Sequence, residues 1–409
     1  MKVVILSTYA HEGGAAIAAE RLQAGLRKIG VDAAMLTAAG LNSSRLKRLR
    51  HFLRFVTERL VIFIACRFRR PNLFKVSIAN TGTDLSRHPL VQQADIIHLH
   101  WINQGFLALS DIRKLLQLGK PLIWTMHDMW PFTGICHHAW KCERYKDSCG
   151  YCPFLESGKK KDLSYRTMQK KLQIKQENIR FVAVSKWLKA IAMQSQMGGG
   201  KIQEIAVIPN TLDTEMFRPM PKKMVRQKLS LSLKKKIILM GAAKLNDPIK
   251  GFKYLKEALY ILKKKEEELL LILLGEIKKD DGFLSSVPIE CKYVGKLSRS
   301  CEMAEWYAAA DVTVVSSLYE TFGQTLIEAM ACGCPTVSFD NSGQTDIIDH
   351  KQTGYLAHYE DAEDLAEGIL WVLNHNHDGR LSVACRHKVE TSYADSVVAQ
   401  EYLKLYSSQ

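Results

Sequence analysis

The chain is 409 residues long, 47% hydrophobic and 24% charged, with 57 Lys and Arg against 42 Asp and Glu, a formal net charge of +15. That composition excludes a disordered or fibrous chain, and the length exceeds one ordinary core, so two domains of roughly 200 residues each are expected. The longest apolar run near the front, residues 60–66, is far shorter than the ~20 residues a spanning helix needs.

MKVVILSTYA opens a strand at residues 3–7 and runs directly into a loop holding Gly13 and Gly14. It has neither the long apolar core nor the cleavage site of a signal peptide, so a cytoplasmic protein is expected. AAIAAERLQAGLRKIG follows as a helix ending at Gly30, and residues 31–36 form the next strand. In this βαβ opening, glycine lets the backbone approach a ligand at the helix start. The third glycine of G-x-G-x-x-G is missing, which argues against a nicotinamide dinucleotide.

Residues 45–75 hold ten Lys or Arg against one acidic residue, Glu58. Within them Leu46, Leu49, Leu53, Val56 and Leu60 recur at alternating steps of three and four, one apolar helix stripe beside a basic face. The stripe is either a core face or a peripheral contact with the inner leaflet of a membrane; the basic density favours anionic lipid or a diphosphate-bearing acceptor. Nucleic acid is not an expected partner, because no recognisable reading motif accompanies the charge.

DIIHLH and PLIWTM, residues 95–100 and 121–126, read as strands whose ends carry His98, His100 and Trp101, and then His127 and Asp128. His127 is the candidate of this half, since a histidine just past a buried strand can donate to a sugar hydroxyl or phosphate in either charge state. Asp128 either orients that ring or begins the turn. CHHAWKCERYKDSCGYC then places Cys136, Cys142, Cys149 and Cys152 within seventeen residues. A structural zinc site, a disulfide or redox cluster, and isolated thiols all suit that spacing. Cys66, Cys291, Cys301, Cys332, Cys334 and Cys385 are expected to be small core residues.

RFVAVS, residues 180–185, is a further strand. Pro219 and Pro221 mark a linker at residues 217–221, dividing an N-terminal domain at 1–216 from a C-terminal domain at 217–390, with residues 391–409 as a helix returning to the first. KKIILMGAA restarts the strand-to-glycine pattern. Lys244 and Lys250 lie on the loop beyond it, where a lysine point charge suits a diphosphate, and Gly251 opens a helix. LLLILLGE, YVGKLS, DVTVVSS and PTVSFD supply the remaining strands, and residues 342–345 another loop at the sheet edge.

The most informative stretch is residues 319–335, YETFGQTLIEAMACGCP. Glu320 sits where the DVTVVSS strand ends, at the carboxyl edge where open α/β sheets bind ligands. A helix starting near Gly323 presents backbone N–H groups and its positive dipole end there, which suits phosphate. Glu328 brings a second carboxylate about two turns along. Carboxylates accept hydrogen bonds from hydroxyls, and phosphate with hydroxyls together describe a nucleotide-sugar.

VAVSKWL, VIPNTLD, IKGF, TFGQTLIEAMACGCPTV and TGYL, with the Glu320 to Glu328 spacing, resemble the retaining glycosyltransferases of the glycogen-synthase-like family with the GT-B fold. HDMWPFTGICHHAWKCERYKDSCGYCP is similar to a bacterial subgroup that builds capsular, exopolysaccharide or O-antigen chains. The resemblance implies an α/β protein of two Rossmann-like, doubly wound domains facing across a cleft. It also implies roles. Glu320 matches the glutamate near the donor sugar, Glu328 the residue holding the ribose hydroxyls, and the backbone of Phe322, Gly323, Gln324 and Thr325 the diphosphate cradle. Lys250 matches the diphosphate lysine, Gly14 the first-domain loop facing donor and acceptor, and His127 the histidine beside the transferred sugar. GAAKLND lacks the arginine usual in the family, so Lys244 stands in without a bidentate fork, and Asp346 replaces a commoner glutamate.

The expected activity is retaining transfer of a sugar from a nucleoside-diphosphate sugar to a hydroxyl of a lipid-linked oligosaccharide, at the cytoplasmic face of the inner membrane, with no catalytic metal required. A nucleotide-sugar epimerase or hydrolase on the same fold is one alternative. A basic nucleic-acid-binding protein with a zinc knuckle is the other.

Overall fold

The computed structural model describes residues 1–41, 44–175, 179–198, 205–266, 268–278 and 282–408. Two compact units divide the chain: Met1–Pro209 with Ala399–Gln409, and Asn210–Val398.

The first unit is built on six parallel strands, β1 (Lys2–Leu6), β2 (Asp32–Leu36), β3 (Ile96–Leu99), β4 (Leu122–Met126), β5 (Ile179–Ala183) and β6 (Ala206–Val207). Their order is β2-β1-β3-β4-β5-β6. β3 and β4 are buried at every position, as parallel strands covered on both faces must be. The helix Gly14–Lys28 follows β1 and buries Ala16, Ala19, Leu22 and Leu26, a small-residue face at helical spacing. The chain steps from β1 outward to β2 and then returns to β3 on the opposite side of β1, so the connections diverge there and a crevice opens at the carboxyl ends of β1 and β3.

The Arg45–Ala65 helix overturns the core-face alternative for its leucines. Leu46, Leu49, Leu53, Val56 and Leu60 are exposed, and the buried side carries Glu58, Arg59 and Ile62. From Ala399 the last helix, Asp395–Ser407, belongs to the first unit. There the Tyr402 hydroxyl meets Thr125 Oγ1 at 2.8 Å and the Tyr406 hydroxyl meets His98 Nδ1 at 2.7 Å.

The second unit repeats the plan with β7 (Lys236–Lys244), β8 (Leu269–Glu276), β9 (Glu290–Gly295), β10 (Val312–Val315), β11 (Thr336–Phe339) and β12 (Gly354–Ala357), ordered β12-β11-β10-β7-β8-β9. Leu255, Leu259, Leu271, Val314, Val337 and Ile369 lie in its core. The divergence of connections falls between β7 and β10. The division from the first unit comes earlier than residues 217–221, because the intervening residues pack on the second unit: Leu212 bridges Ala394, and the Phe217 carbonyl accepts from Arg386 at 2.7 Å. Each unit is a doubly wound Rossmann-like domain, the pair that makes up a GT-B fold. Among the described residues no helix is long and apolar enough to cross a membrane.

Candidate functional site

In the second unit, the segments that leave β7 and β10 meet. Lys250 ends a 3-10 turn, Pro248–Lys250, beyond β7, and Glu320 lies beyond β10. Lys250 Nζ donates to Glu320 Oε1 at 2.6 Å, with the two side chains 25% and 22% exposed. Backbone contacts force the meeting. Leu318 N donates to Ile249 O at 2.8 Å, and Ser316 Oγ to Lys250 O at 3.0 Å. Gly251 takes a φ of +63°, and a Cβ there would lie 1.9 Å from Ser316 O, so only glycine fits.

Gly323, with φ +119°, is the N-cap of the Gln324–Ala331 helix and has no side chain of its own to cap it. Its positive end is therefore presented at the same sheet edge by Gln324 and Thr325. Phe322 is buried edge-on against Tyr393, ring centroids 5.8 Å apart, which anchors the turn. Glu328 is only 5% exposed and accepts from the Tyr307 hydroxyl at 3.1 Å, so it is a held carboxylate and not a solvated surface glutamate. Tyr307 carried no signal in the sequence beyond an aromatic residue on the helix before β10. A Cβ on Gly241 would lie 3.7 Å from the Tyr307 hydroxyl and 3.8 Å from Thr325 Cγ2, which brings β7, Tyr307 and the helix start to one place.

The loop at 342–345 braces Glu320 from behind. Glu320 N donates to Ser342 Oγ at 3.1 Å, and Gly343 N donates to Glu320 O at 2.8 Å. Buried Gln344 ties the loop down, its Nε2 donating to Asn341 O at 3.1 Å and its Oε1 accepting from Ser338 at 2.7 Å. Asp346 receives the Tyr393 hydroxyl on its carbonyl at 3.1 Å. Lys244 stands exposed at the last position of β7, in register with Glu276 on β8.

In the first unit, the loops after β1, β3 and β4 are tied together. Thr8 N donates to Trp101 O at 2.7 Å and Thr8 Oγ1 to Asn103 O at 2.9 Å, while Tyr9 stacks on Trp101. Gly13 turns the chain with φ +87°, and a Cβ there would meet nothing within 4 Å, so open space lies over the helix start at Gly14.

His127 Nε2 shares a hydrogen bond of 2.8 Å with His100 Nδ1, the rings stacked. Burial pushes the His127 pKa down to about 4, against the opposing pull of the Asp128 charge, and the ring is neutral at pH 7. Burial, aided by His127, takes His98 to about 3. His100 is lowered for the same reason, and its Nε2 is buried without a partner.

Asp128 begins the turn, its Oδ1 accepting from Trp130 N at 2.8 Å. Its other oxygen serves His137 and Trp101, accepting from His137 Nδ1 at 2.6 Å and Trp101 Nε1 at 3.0 Å, so the ring it orients is His137 and not His127. Burial works to raise the Asp128 pKa, but His137, His138 and the Trp130 amide more than offset this and leave it below the ordinary carboxylate value.

Cys136, Cys142, Cys149 and Cys152 line one cavity as free thiols. Among the described residues no three or more His, Cys, Asp or Glu are arranged to hold a metal ion, and the four thiols form no disulfide. Burial holds the Cys149 thiol up at about 11 and Cys152 at about 12. Of the other six cysteines, Cys66, Cys332, Cys334 and Cys385 are buried; Cys291 is half-buried and Cys301 exposed, contrary to expectation.

Residues 12–216, half of the chain, match the family described as Glycosyltransferase Family 4, and residues 221–388 match Glycosyl transferases group 1. Mannosylfructose-phosphate synthase of Agrobacterium fabrum is 30% identical over 226 residues, which are 51% of this chain and 48% of that protein. The N,N'-diacetylbacillosaminyl-diphospho-undecaprenol alpha-1,3-N-acetylgalactosaminyltransferase of Campylobacter jejuni is 30% identical over 174 residues, 42% of this chain and 45% of that protein. The matched stretch thus spans about half the length of these two relatives. Among solved structures, Alr3699/HepE of Anabaena in complex with UDP superposes with a TM-score of 0.66 over 100% of both chains at 14% identity, a likeness of fold.

Proposed function

We propose that this chain, which belongs to Glycosyltransferase Family 4, transfers a sugar from a nucleoside-diphosphate sugar to a hydroxyl of a lipid-linked saccharide with retention of configuration. The observation that carries the reading is the convergence of Lys250, Glu320 and the start of the Gln324–Ala331 helix at one sheet edge. A positive group and a helix start suit a diphosphate; carboxylates beside them suit the hydroxyls of sugar and ribose.

As the bond from the sugar's anomeric carbon to the diphosphate oxygen breaks, negative charge gathers on the leaving diphosphate. The Lys250 ammonium and the amides of Gly323, Gln324 and Thr325 stabilise it. The acceptor oxygen forms the new bond on the same face, and its proton passes to a diphosphate oxygen, so the products are a glycoside and a nucleoside diphosphate. An ion pair as exposed as Lys250 and Glu320 is worth only ~0–1 kcal/mol, little enough for the lysine to exchange Glu320 for phosphate. Glu320 then accepts from the sugar hydroxyls and Glu328 from the ribose. The first unit's crevice is the proposed seat of the acceptor, with Gly14 giving close backbone approach and neutral His127 a hydrogen bond to the sugar. Lys244 is the more exposed, secondary cation. Lysine and helix supply the positive charge, so the reading asks for no metal.

A lipid-linked acceptor, a place in surface-polysaccharide synthesis and a site of action at the cytoplasmic face of the inner membrane complete the proposal. They are supported by the undecaprenol-linked acceptor in the name of the Campylobacter relative and by the basic 45–75 segment. Thermal stabilisation of the purified chain by uridine or guanosine diphosphate, lost in Lys250→Ala, tests the donor site. Absence of stabilisation by any nucleoside diphosphate sinks the proposal. Turnover of a donor without acceptor points instead to a hydrolase or epimerase, and the anomeric configuration of the product, read by NMR, tests retention.

A further inference from the structure

The Arg45–Ala65 helix is turned inside out. Leu46, Leu49, Phe52, Leu53, Leu60 and Ile64 are each 52–58% exposed, more than a core-packed helix would leave to water. Its register is nevertheless fixed from the buried side by charged groups. Glu58 Oε1 accepts from Ile78 N at 2.8 Å and Ala79 N at 2.9 Å, and Arg59 donates to Leu73 O at 2.6 Å and Val76 O at 3.1 Å. Glu58 and Arg59 also pair with each other at 3.2 Å. Rolling the leucines inward would break every one of these bonds and leave a buried charge unpaired, so the outward apolar face belongs to the fold.

That face is bordered by exposed Arg48 and Arg50, and its only acidic neighbour within residues 45–75, Glu58, is buried. Exposed Phe68 and Phe74 lie just past the helix. A contiguous apolar face of this kind marks an interaction surface. Charge selects the partner. A second copy of this chain would set the same Arg48 and Arg50 border against itself and be repelled, whereas an anionic surface is attracted.

We infer that the Arg45–Ala65 helix is a docking face for an anionic lipid bilayer, lying in the plane of the interface with its leucines at the acyl boundary and Arg48 and Arg50 among the headgroups. This deepens the proposed function by naming the surface on which a lipid-linked acceptor is met, and rests on that reading for its purpose alone. The helix is also braced toward the acceptor-side loop: Arg59 donates to Ser77 Oγ at 3.2 Å, Ser77 Oγ meets His137 Nε2 at 3.0 Å, and His137 is the partner of Asp128.

The test is co-sedimentation of the full chain with vesicles of phosphatidylcholine alone or with phosphatidylglycerol added. Binding to the anionic vesicles is expected, weakening with salt. It should fall roughly tenfold or more in Arg48→Glu/Arg50→Glu and comparably in Leu49→Glu/Leu53→Glu, while circular dichroism and stabilisation by nucleoside diphosphate stay as in the parent chain. No binding to either vesicle, or equal binding by the variants, overturns the inference. Concentration-dependent dimerisation abolished by Leu49→Glu/Leu53→Glu also overturns it and assigns the face to a second copy. A chain that binds nucleotide but no vesicle fails only here, and one that binds vesicles but no nucleotide fails only the transferase reading.

Discussion

Lys250 donates to Glu320 across 2.6 Å although seventy residues separate them in sequence. Under the proposed function the pairing would link two roles, one toward the diphosphate and one toward the sugar, since whatever draws the ammonium away releases the carboxylate. Lys250→Ala is expected to lower the transfer rate by roughly 10²–10³-fold, with folding stability changed by about 1 kcal/mol or less because the pair is partly solvated. Glu320→Gln should also lower the rate while leaving the fold intact. Initial rates with a defined nucleotide-sugar and urea titrations check both, and wild-type rates in the two variants would rule out the site.

Gly251 holds that lysine in place. With φ +63° and a would-be Cβ 1.9 Å from Ser316 O, Gly251→Ala must push the 248–251 turn away from β10. A loss of about 1–3 kcal/mol in stability is expected from the strained conformation, together with a weaker response to nucleoside diphosphate. An unchanged urea midpoint and unchanged nucleotide stabilisation would contradict the geometry.

Tyr307 donates to Glu328 at 3.1 Å inside a buried setting. Tyr307→Phe removes one hydrogen bond, worth about 0.5–1.5 kcal/mol, and leaves Glu328 less firmly aimed. Under the proposed role, KM for the donor rises several-fold while kcat changes less. A fall in kcat alone would place Glu328 away from the ribose.

Acid should destabilise the first unit through its histidines. His127 titrates at about 4 and His98 at about 3 in the folded chain, both below the ordinary 6.5. Between about pH 6.5 and 4 the unfolded chain therefore takes up protons that the folded chain does not. Stability falls over this window as pH falls, by up to ~1.4 kcal/mol per pH unit for each ring. The His127 share levels off below about 4, where the folded state is protonated too. Urea midpoints at pH 7.5 and 5.0 measure the slope, and His127→Gln should flatten it; an identical slope in the variant would place the acid sensitivity elsewhere.

Much of this architecture was legible along the chain. Strands of β-branched and aliphatic residues alternating with amphipathic helices determine two parallel-sheet units, and a carboxylate at a strand end followed by a glycine turn and a helix determines a phosphate-type edge at Glu320 and Gly323. These are local properties, written in periodicity and in the conformational freedom of one glycine. Periodicity also showed that the Arg45–Ala65 helix has an apolar stripe, yet it is silent on which side meets water. Only the tertiary structure decided that, because Glu58 and Arg59 find their partners at residues 73–79. Cysteine spacing was equally mute about a metal, since ligation depends on how thiols converge in space. Asp128 choosing His137, Tyr307 meeting Glu328 and Lys250 meeting Glu320 follow from the order of strands in each sheet. That order sets which loops stand side by side, and no residue-to-residue spacing along the chain encodes it.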